Sequence, residues 1–318
     1  MKFASYIVSF LMTFALSVEI QNVSAQQYNE TEKILQKEYS LVPQHSRDTQ
    51  YYSMESKLQR FSPDGARLGV VIYHLYLRCV PDSKSDADEY TCIRFTVKTN
   101  DSAELTIPSL KDWKYLYHKT SNAKDEKGQV FGIDHSKFDH ITDDKGKVLS
   151  VENTYHVYNA FIDFHAMGVF AEKTPFGNGV QDLHHIGQKI IHMASHSQPP
   201  VNLGSQVGEG SYFRNGEVTL EFKGLSKANN KSCALLEYDS GESSFFMITK
   251  PFPNVEVKTK GASHYLGDIY KDLQGGWIQK AILHELVISE TQVPGQANKI
   301  FSVIERTIDI ENIDRIPF

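Results

Sequence analysis

The sequence predicts a mainly β protein of the α+β class: a curved antiparallel sheet, or an open β-barrel-like architecture, with one or two covering helices. Three observations support this prediction. Apolar and polar residues alternate with a period of two through residues 50–117, as in half-buried strands, and strand-like segments follow one another through 210–313. Glycine-containing turns separate the later segments so closely that no crossover helix fits, so neighbouring strands must pair antiparallel. Residues 152–171 instead show helical spacing.

The N-terminal segment, residues 1–25, has the pattern of a secretory signal peptide. Lys2 precedes an apolar run over residues 3–18, and small side chains up to Ala25 suit cleavage after that residue. The run is shorter than the ~20 residues that a helix needs to cross hydrocarbon, although an uncleaved anchor is the alternative. We therefore expect an exported protein, periplasmic or extracellular, in which residues 26–47 form a lightly attached arm. No later segment is apolar enough to predict a transmembrane helix.

Residues 48–150 are predicted to form an antiparallel β region. Within it, β-branched and aromatic side chains alternate at 71–77 and 92–97, which predicts the two arms of a hairpin. The acidic run at 82–89 is expected to be the solvated tip of this hairpin. As a calcium site it lacks the central glycine and the distal glutamate of an EF-type loop.

The three cysteines are Cys79, Cys92 and Cys233. If the hairpin is centred between Ser85 and Asp86, Cys79 and Cys92 lie directly opposite each other, close to the spacing that a disulfide bond needs. An oxidising compartment would permit the bond, so we predict it, with two reduced buried thiols as the alternative. Cys233 lies in a strand-like run and is expected to be an inert core thiol.

Residues 151–318 are predicted to contain one helix followed by a C-terminal antiparallel β region, either separate from 48–150 or part of one domain with it. Five side chains recur at helical spacing and form one stripe: Tyr155, Tyr158, Ile162, His165 and Val169. Strand-like segments separated by turns follow as far as residue 310. We expect the helix to cover one face of the sheet.

The segment 180–196 fits two structures. As a helix it would place His185, His192 and His196 within about 40° of one another, because their spacings are near whole numbers of turns. These imidazoles, with Asp182 or His165, would then offer a site for Zn²⁺ or another divalent ion. Alternation at 189–194 favours a strand instead, and a surface stretch that is merely rich in histidine, from His184 to His196, is the simpler alternative.

The last third of the chain carries a resemblance. It rests on Lys223-Gly-Leu, Ser263-His-Tyr-Leu-Gly-Asp-Ile-Tyr, Asp272-Leu-Gln-Gly-Gly-Trp-Ile-Gln-Lys-Ala and Ile304-Glu-Arg-Thr-Ile. These segments resemble uncharacterised exported β-rich proteins of the bacterial envelope. The resemblance implies a fold and an envelope setting, and it assigns no catalytic residue.

Charge and missing motifs narrow the function. The net charge of −6 gives no basic footprint for nucleic acid. The sequence contains no nucleophile elbow, no His-Glu-x-x-His, no Cys-x-x-Cys and no phosphate-binding glycine loop. The leading hypothesis is therefore a non-enzymatic exported protein that needs no cofactor and binds a lipid, another apolar ligand or an envelope component. The alternatives are a metal-dependent hydrolase using the His184–His196 stretch, and a structural or adhesive surface module.

Overall fold

The computed structural model describes residues 32–82, 87–118, 129–199, 208–252 and 255–316. The predicted signal peptide and its cleavage after Ala25 lie outside these residues. The described residues contain two α-helices, α1 (32–36) and α2 (Val151–Val169). Short 3-10 turns lie at Pro108–Leu110, His135–Phe138 and Val180–Asp182. The strands are β1 (Gln50–Phe61), β2 (Arg67–Pro81), β3 (Ala87–Thr99), β4 (Leu105–Thr106), β5 (Lys114–His118), β6 (Lys189–Ile191), β7 (Tyr212–Arg214), β8 (Thr219–Ala228), β9 (Lys231–Asp239), β10 (Ser243–Phe252), β11 (Val255–Asp272), β12 (Ile278–Gln292) and β13 (Ile300–Ile313).

The strands form one open 13-stranded sheet in which neighbours pair antiparallel, which confirms the predicted fold class. Its main path runs β4-β3-β2-β1-β13-β12-β11-β9-β8-β6. The sheet joins distant parts of the chain, because β1 pairs with the last strand, β13. The long strand β11 pairs with β10 along its first half and with β9 along its second half.

Helix α2 is present almost as predicted and packs against β2 and β12. It begins after Ser150, whose hydroxyl accepts the N–H of Asn153, a typical N-cap bond. The most buried stripe is rotated from the predicted one and centres on Phe161 and Phe164. Phe161 stacks on Phe95 of β3 with ring centroids 5.7 Å apart.

The predicted disulfide bond between Cys79 and Cys92 is absent, and both side chains are buried thiols. Cys79 lies opposite Tyr90 and Cys92 opposite Leu77, so the cysteines are diagonal neighbours. Diagonal Cα atoms are about 7–8 Å apart, whereas a disulfide bond needs no more than about 6.8 Å. The predicted centre of the hairpin lies one residue too far along the chain. Cys79 was therefore predicted to face Cys92, whereas it faces Tyr90, two residues earlier.

The segment 180–196 is neither a helix nor one strand. Val180–Asp182 is a single 3-10 turn, and β6 adds only three residues to the sheet edge beside β8. Between them Gly187 has a φ of +82°, a left-handed conformation that interrupts any helix and that glycine adopts at little cost. The helical arrangement that underlies the predicted metal site is therefore wrong.

The N-terminal arm is attached more firmly than its sparse apolar residues suggested. Leu41 is fully buried in the main core, and the backbone N–H of Ser46 donates to the carbonyl of Gly275 at 2.9 Å. The indole N–H of Trp277 also donates to the carbonyl of Ser46. Within the described ranges, no helix has the length and apolarity needed to cross a membrane.

Candidate functional site

A cavity of about 40 Å³ lies between the C-terminal half of α2 and the sheet. Its walls come from the arm, α2, the residues after α2, and strands β1, β3, β5, β12 and β13. The lining side chains and glycine are His45, Tyr52, Asp88, Tyr90, Tyr117, Phe164, His165, Met167, Gly168, Glu172, Trp277, Ile278, Ala281 and Ile310. A space of this size has room for about three water molecules. Its lining is largely aromatic, with two carboxylates and two imidazoles among the aromatic and aliphatic side chains.

His165 projects from α2 into a cage of aromatic rings. Its Nε2 lies 2.8 Å from the hydroxyl of Tyr115, and its ring stacks on Tyr117 at 4.5 Å. Tyr90 meets the same imidazole edge-on at 4.7 Å. Burial lowers the pKa of His165 to about 3, so the imidazole is neutral at physiological pH.

Two carboxylates lie at the cavity. Asp88, at the start of β3, is only 2% exposed, although its place in the acidic run predicted a solvated hairpin tip. Glu172 follows α2, and its Oε1 lies 3.3 Å from Nε2 of His45, whose ring packs 4.4 Å from Trp277. The strand pleat explains the burial of Asp88, because it shares the core face of β3 with Tyr90, two residues further on.

The charge of Asp88 reaches the tyrosines beside it. Burial raises the pKa values of Tyr52 and Tyr90 well above the ordinary range, and the negative charge of Asp88 adds to both increases. Both phenols therefore stay protonated at physiological pH.

Two of the histidines predicted to bind metal are buried in separate surroundings. His165 lies in the aromatic cage, whereas His192 accepts the N–H of Ala194 through Nδ1 and packs against Phe170 at 5.2 Å. Burial lowers the pKa of His192 to about 4. Asp182 accepts the N–H of Gly179 and so fixes a turn of the backbone.

The remaining predicted metal ligands lie elsewhere. His185 is half-exposed with Nε2 4.0 Å from Glu38, and His196 occupies a turn with a φ of +57°. Across the part of the chain that the structure describes, no three His, Cys, Asp or Glu side chains form a group able to hold a metal ion. Metal binding stays a prediction that the described geometry does not support.

A charge cluster that the sequence did not predict joins α2 to the sheet. Arg306 of β13 contacts Asp163 of α2 through Nη1 and Glu285 of β12 through Nε, the second at 2.7 Å. Ser263 of β11 donates to the other oxygen of Glu285. Burial raises the pKa of Asp163 to about 6, opposed by the positive charge of Arg306 and reinforced by Glu285. The sequence signal for this cluster is an arginine within an otherwise alternating strand, and that signal does not indicate which residues the arginine contacts.

Cys233 is buried in the core, as predicted. It is fully buried in β9, and burial raises the pKa of its thiol, which favours the protonated form.

Comparison with known proteins assigns no family. No protein-family model matches the chain, and no curated protein matches it. Among solved structures, the chain is similar to a domain from Vibrio parahaemolyticus that is named as a candidate outer membrane lipoprotein-sorting protein. The two share 8% identity over 86% of this chain and 89% of that one, with a TM-score of 0.15. A TM-score this low supports no inference about fold or activity.

Proposed function

We propose that this chain is a non-enzymatic exported protein that binds a small apolar ligand in the cavity beneath α2. The observation that carries the proposal is the cavity itself, walled by aromatic and aliphatic side chains with a few polar groups among them. Ligand sites in proteins typically have this composition. Export to the periplasm or the extracellular space belongs to the proposal and rests on the pattern of residues 1–25.

The size of the cavity limits the ligand. A molecule or group of about three or four non-hydrogen atoms fits the space as it stands. A lipid chain would fit only after the arm moves, since His45 forms one wall and is held there by Trp277 and Glu172. Small apolar molecules are therefore the ligand class we propose first, ahead of lipids and larger envelope components.

The polar groups give little support to catalysis. Of the two imidazoles at the cavity, that of His165 has a pKa of about 3, which makes it a weak base at neutral pH. Its Nε2 is also occupied by Tyr115. The aromatic cage positions a neutral ring and fits recognition better than proton transfer.

The test is solvent extraction of the purified protein followed by mass spectrometry, with variants at Gly168. Gly168 lines the cavity, and a Cβ added there would meet only Ile278, at 3.8 Å. Gly168→Leu fills the cavity, whereas Gly168→Ala is the matched control that adds one methyl group. We expect a stoichiometric small apolar compound from the wild type and from Gly168→Ala, and its loss from folded Gly168→Leu. A wild-type protein that yields no compound would contradict the proposal.

A further inference from the structure

The imidazole of His45 has one buried nitrogen without a hydrogen-bond partner. The side chain lines the cavity beneath α2 and is 14% exposed. Its Nε2 lies 3.3 Å from Oε1 of Glu172, and its ring packs against Trp277. Within the described part of the chain, no atom makes a hydrogen bond with its buried Nδ1. A buried polar atom left unpaired is unfavourable, so this nitrogen favours a partner that enters the cavity.

The position of Gly276 indicates which edge of the His45 ring faces the cavity. A Cβ added at Gly276 would lie 2.6 Å from Cδ2 of His45, so the glycine packs directly against that edge of the ring. Nδ1 lies across the imidazole from Cδ2, and Gly276 is outside the cavity lining. The unpaired nitrogen is therefore on the edge of the ring that faces away from Gly276 and towards the cavity.

The contact with Glu172 determines the hydrogen-bonding role of Nδ1. A neutral imidazole carries hydrogen on one nitrogen and accepts at the other. An ionised carboxylate only accepts, so the contact with Glu172 favours hydrogen at Nε2 of His45 and leaves Nδ1 as the acceptor. A ligand that donates a hydrogen bond therefore satisfies Nδ1 of His45, whereas Nε2 of His165 already has the hydroxyl of Tyr115 at 2.8 Å.

We propose that the cavity binds a small alcohol, whose hydroxyl donates a hydrogen bond to Nδ1 of His45 and whose alkyl part lies against the aromatic walls. Tyr52, Phe164 and Trp277 supply apolar contacts. An apolar lining with a few polar atoms that orient the ligand is typical of small-molecule sites. The inference deepens the proposed function and rests on it, because it names the polar group of the ligand that the same cavity takes.

Isopropanol and acetone test the hydroxyl group with little change of size. They have equal numbers of non-hydrogen atoms, but isopropanol donates a hydrogen bond and acetone only accepts one. NMR titration of the full chain at about pH 8, where histidine imidazoles are ordinarily neutral, follows the indole N–H signals of the two tryptophans. Trp277 lies at the cavity, and Trp113, outside the lining, is the internal control.

Both probes should shift the signal of Trp277 and leave that of Trp113 unchanged. We expect a dissociation constant of about 0.1–10 mM for isopropanol, the range open to so small a ligand. Acetone should bind at least about fivefold more weakly, because it leaves Nδ1 of His45 without a donor.

His45→Gln and His185→Gln provide a matched pair of variants. The amide nitrogen of glutamine can replace Nε2 beside Glu172, but no atom of glutamine replaces Nδ1. His45→Gln should therefore bind isopropanol and acetone with nearly equal affinity. His185 is half-exposed and outside the cavity lining, so His185→Gln should keep the preference of the wild type. Should His45→Gln fail to fold, the two probes still test the inference on the wild type.

The outcomes separate the inference from the proposed function. Equal affinities of the wild type for isopropanol and acetone, or an unchanged preference in folded His45→Gln, would overturn the alcohol inference and leave an apolar-ligand protein. Preferred binding of acetone would show that Nδ1 carries hydrogen and would also overturn it. If neither probe shifts the signal of Trp277, the inference fails, and if extraction also finds no compound, the proposed function fails with it.

Discussion

The buried carboxylate of Asp163 makes a specific prediction about stability and pH. Its pKa is raised from 3.8 to about 6, mainly by burial, although Arg306 lies against it. A pKa higher in the folded than in the unfolded state stabilises the fold at low pH, and this stabilisation is lost as pH rises through the folded value. At 1.36 kcal/mol per pH unit the whole effect is about 3 kcal/mol, of which about 1.5 kcal/mol falls between pH 5 and 7.5.

Asp163→Asn removes this titration while keeping a side-chain oxygen for Arg306. We expect the free energy of unfolding of the wild type, relative to that of the variant, to fall by about 1.5 kcal/mol between pH 5 and 7.5. Urea unfolding at several pH values measures the difference and cancels the titration of other groups. Glu305→Gln, an exposed charge beside Arg306 on β13, is the control and should follow the wild type. A difference between wild type and Asp163→Asn that stays constant with pH, or rises with it, would refute the reasoning.

Three further predictions concern α2 and the core. Gly168→Ala should raise the free energy of unfolding by about 0.5–1 kcal/mol, because alanine favours the helix and its methyl group meets no close atom. Thermal and urea unfolding measure this change, and a loss of stability would contradict the prediction. Tyr115→Phe should lower the free energy of unfolding by about 1–3 kcal/mol, because it leaves Nε2 of buried His165 without its hydroxyl partner. An unchanged midpoint of urea unfolding would contradict a stabilising role for that hydrogen bond. A reducing agent should leave the melting temperature unchanged, because Cys79 and Cys92 are thiols, whereas loss of a disulfide bond would cost about 2–4 kcal/mol.

Local periodicity predicted the elements of this fold well. The alternation over residues 302–310 predicted a strand that the structure contains as the inner part of β13, and the helical spacing at 152–171 predicted α2. Both signals are local, because side-chain direction repeats every two residues in a strand and every 3.6 in a helix. The antiparallel arrangement followed from the short connections between later strands.

Long-range pairing was not available from these patterns. Asp163 and Arg306 form an ion pair across the interface between α2 and the sheet, and the sequence around each residue does not predict the other as its partner. Asp88 appeared to belong to a solvated acidic run, yet the pleat of β3 turns it into the core. The predicted register of Cys79 was wrong, because alternation shows which face of the sheet a side chain is on and does not fix the residue opposite it. The geometry of the hairpin turn determines that residue.

The most direct test of ligand binding beneath α2 uses Trp277 as a reporter. The chain has two tryptophans, and Trp277 lines the cavity, so Trp113→Phe leaves a single reporter there. The neutral apolar molecule 2-bromopropane quenches tryptophan fluorescence on contact through its bromine atom. We predict saturable quenching of Trp277, lost when Gly168→Leu fills the cavity. Quenching that rises linearly without saturation, and equally in both proteins, would contradict ligand binding in this cavity.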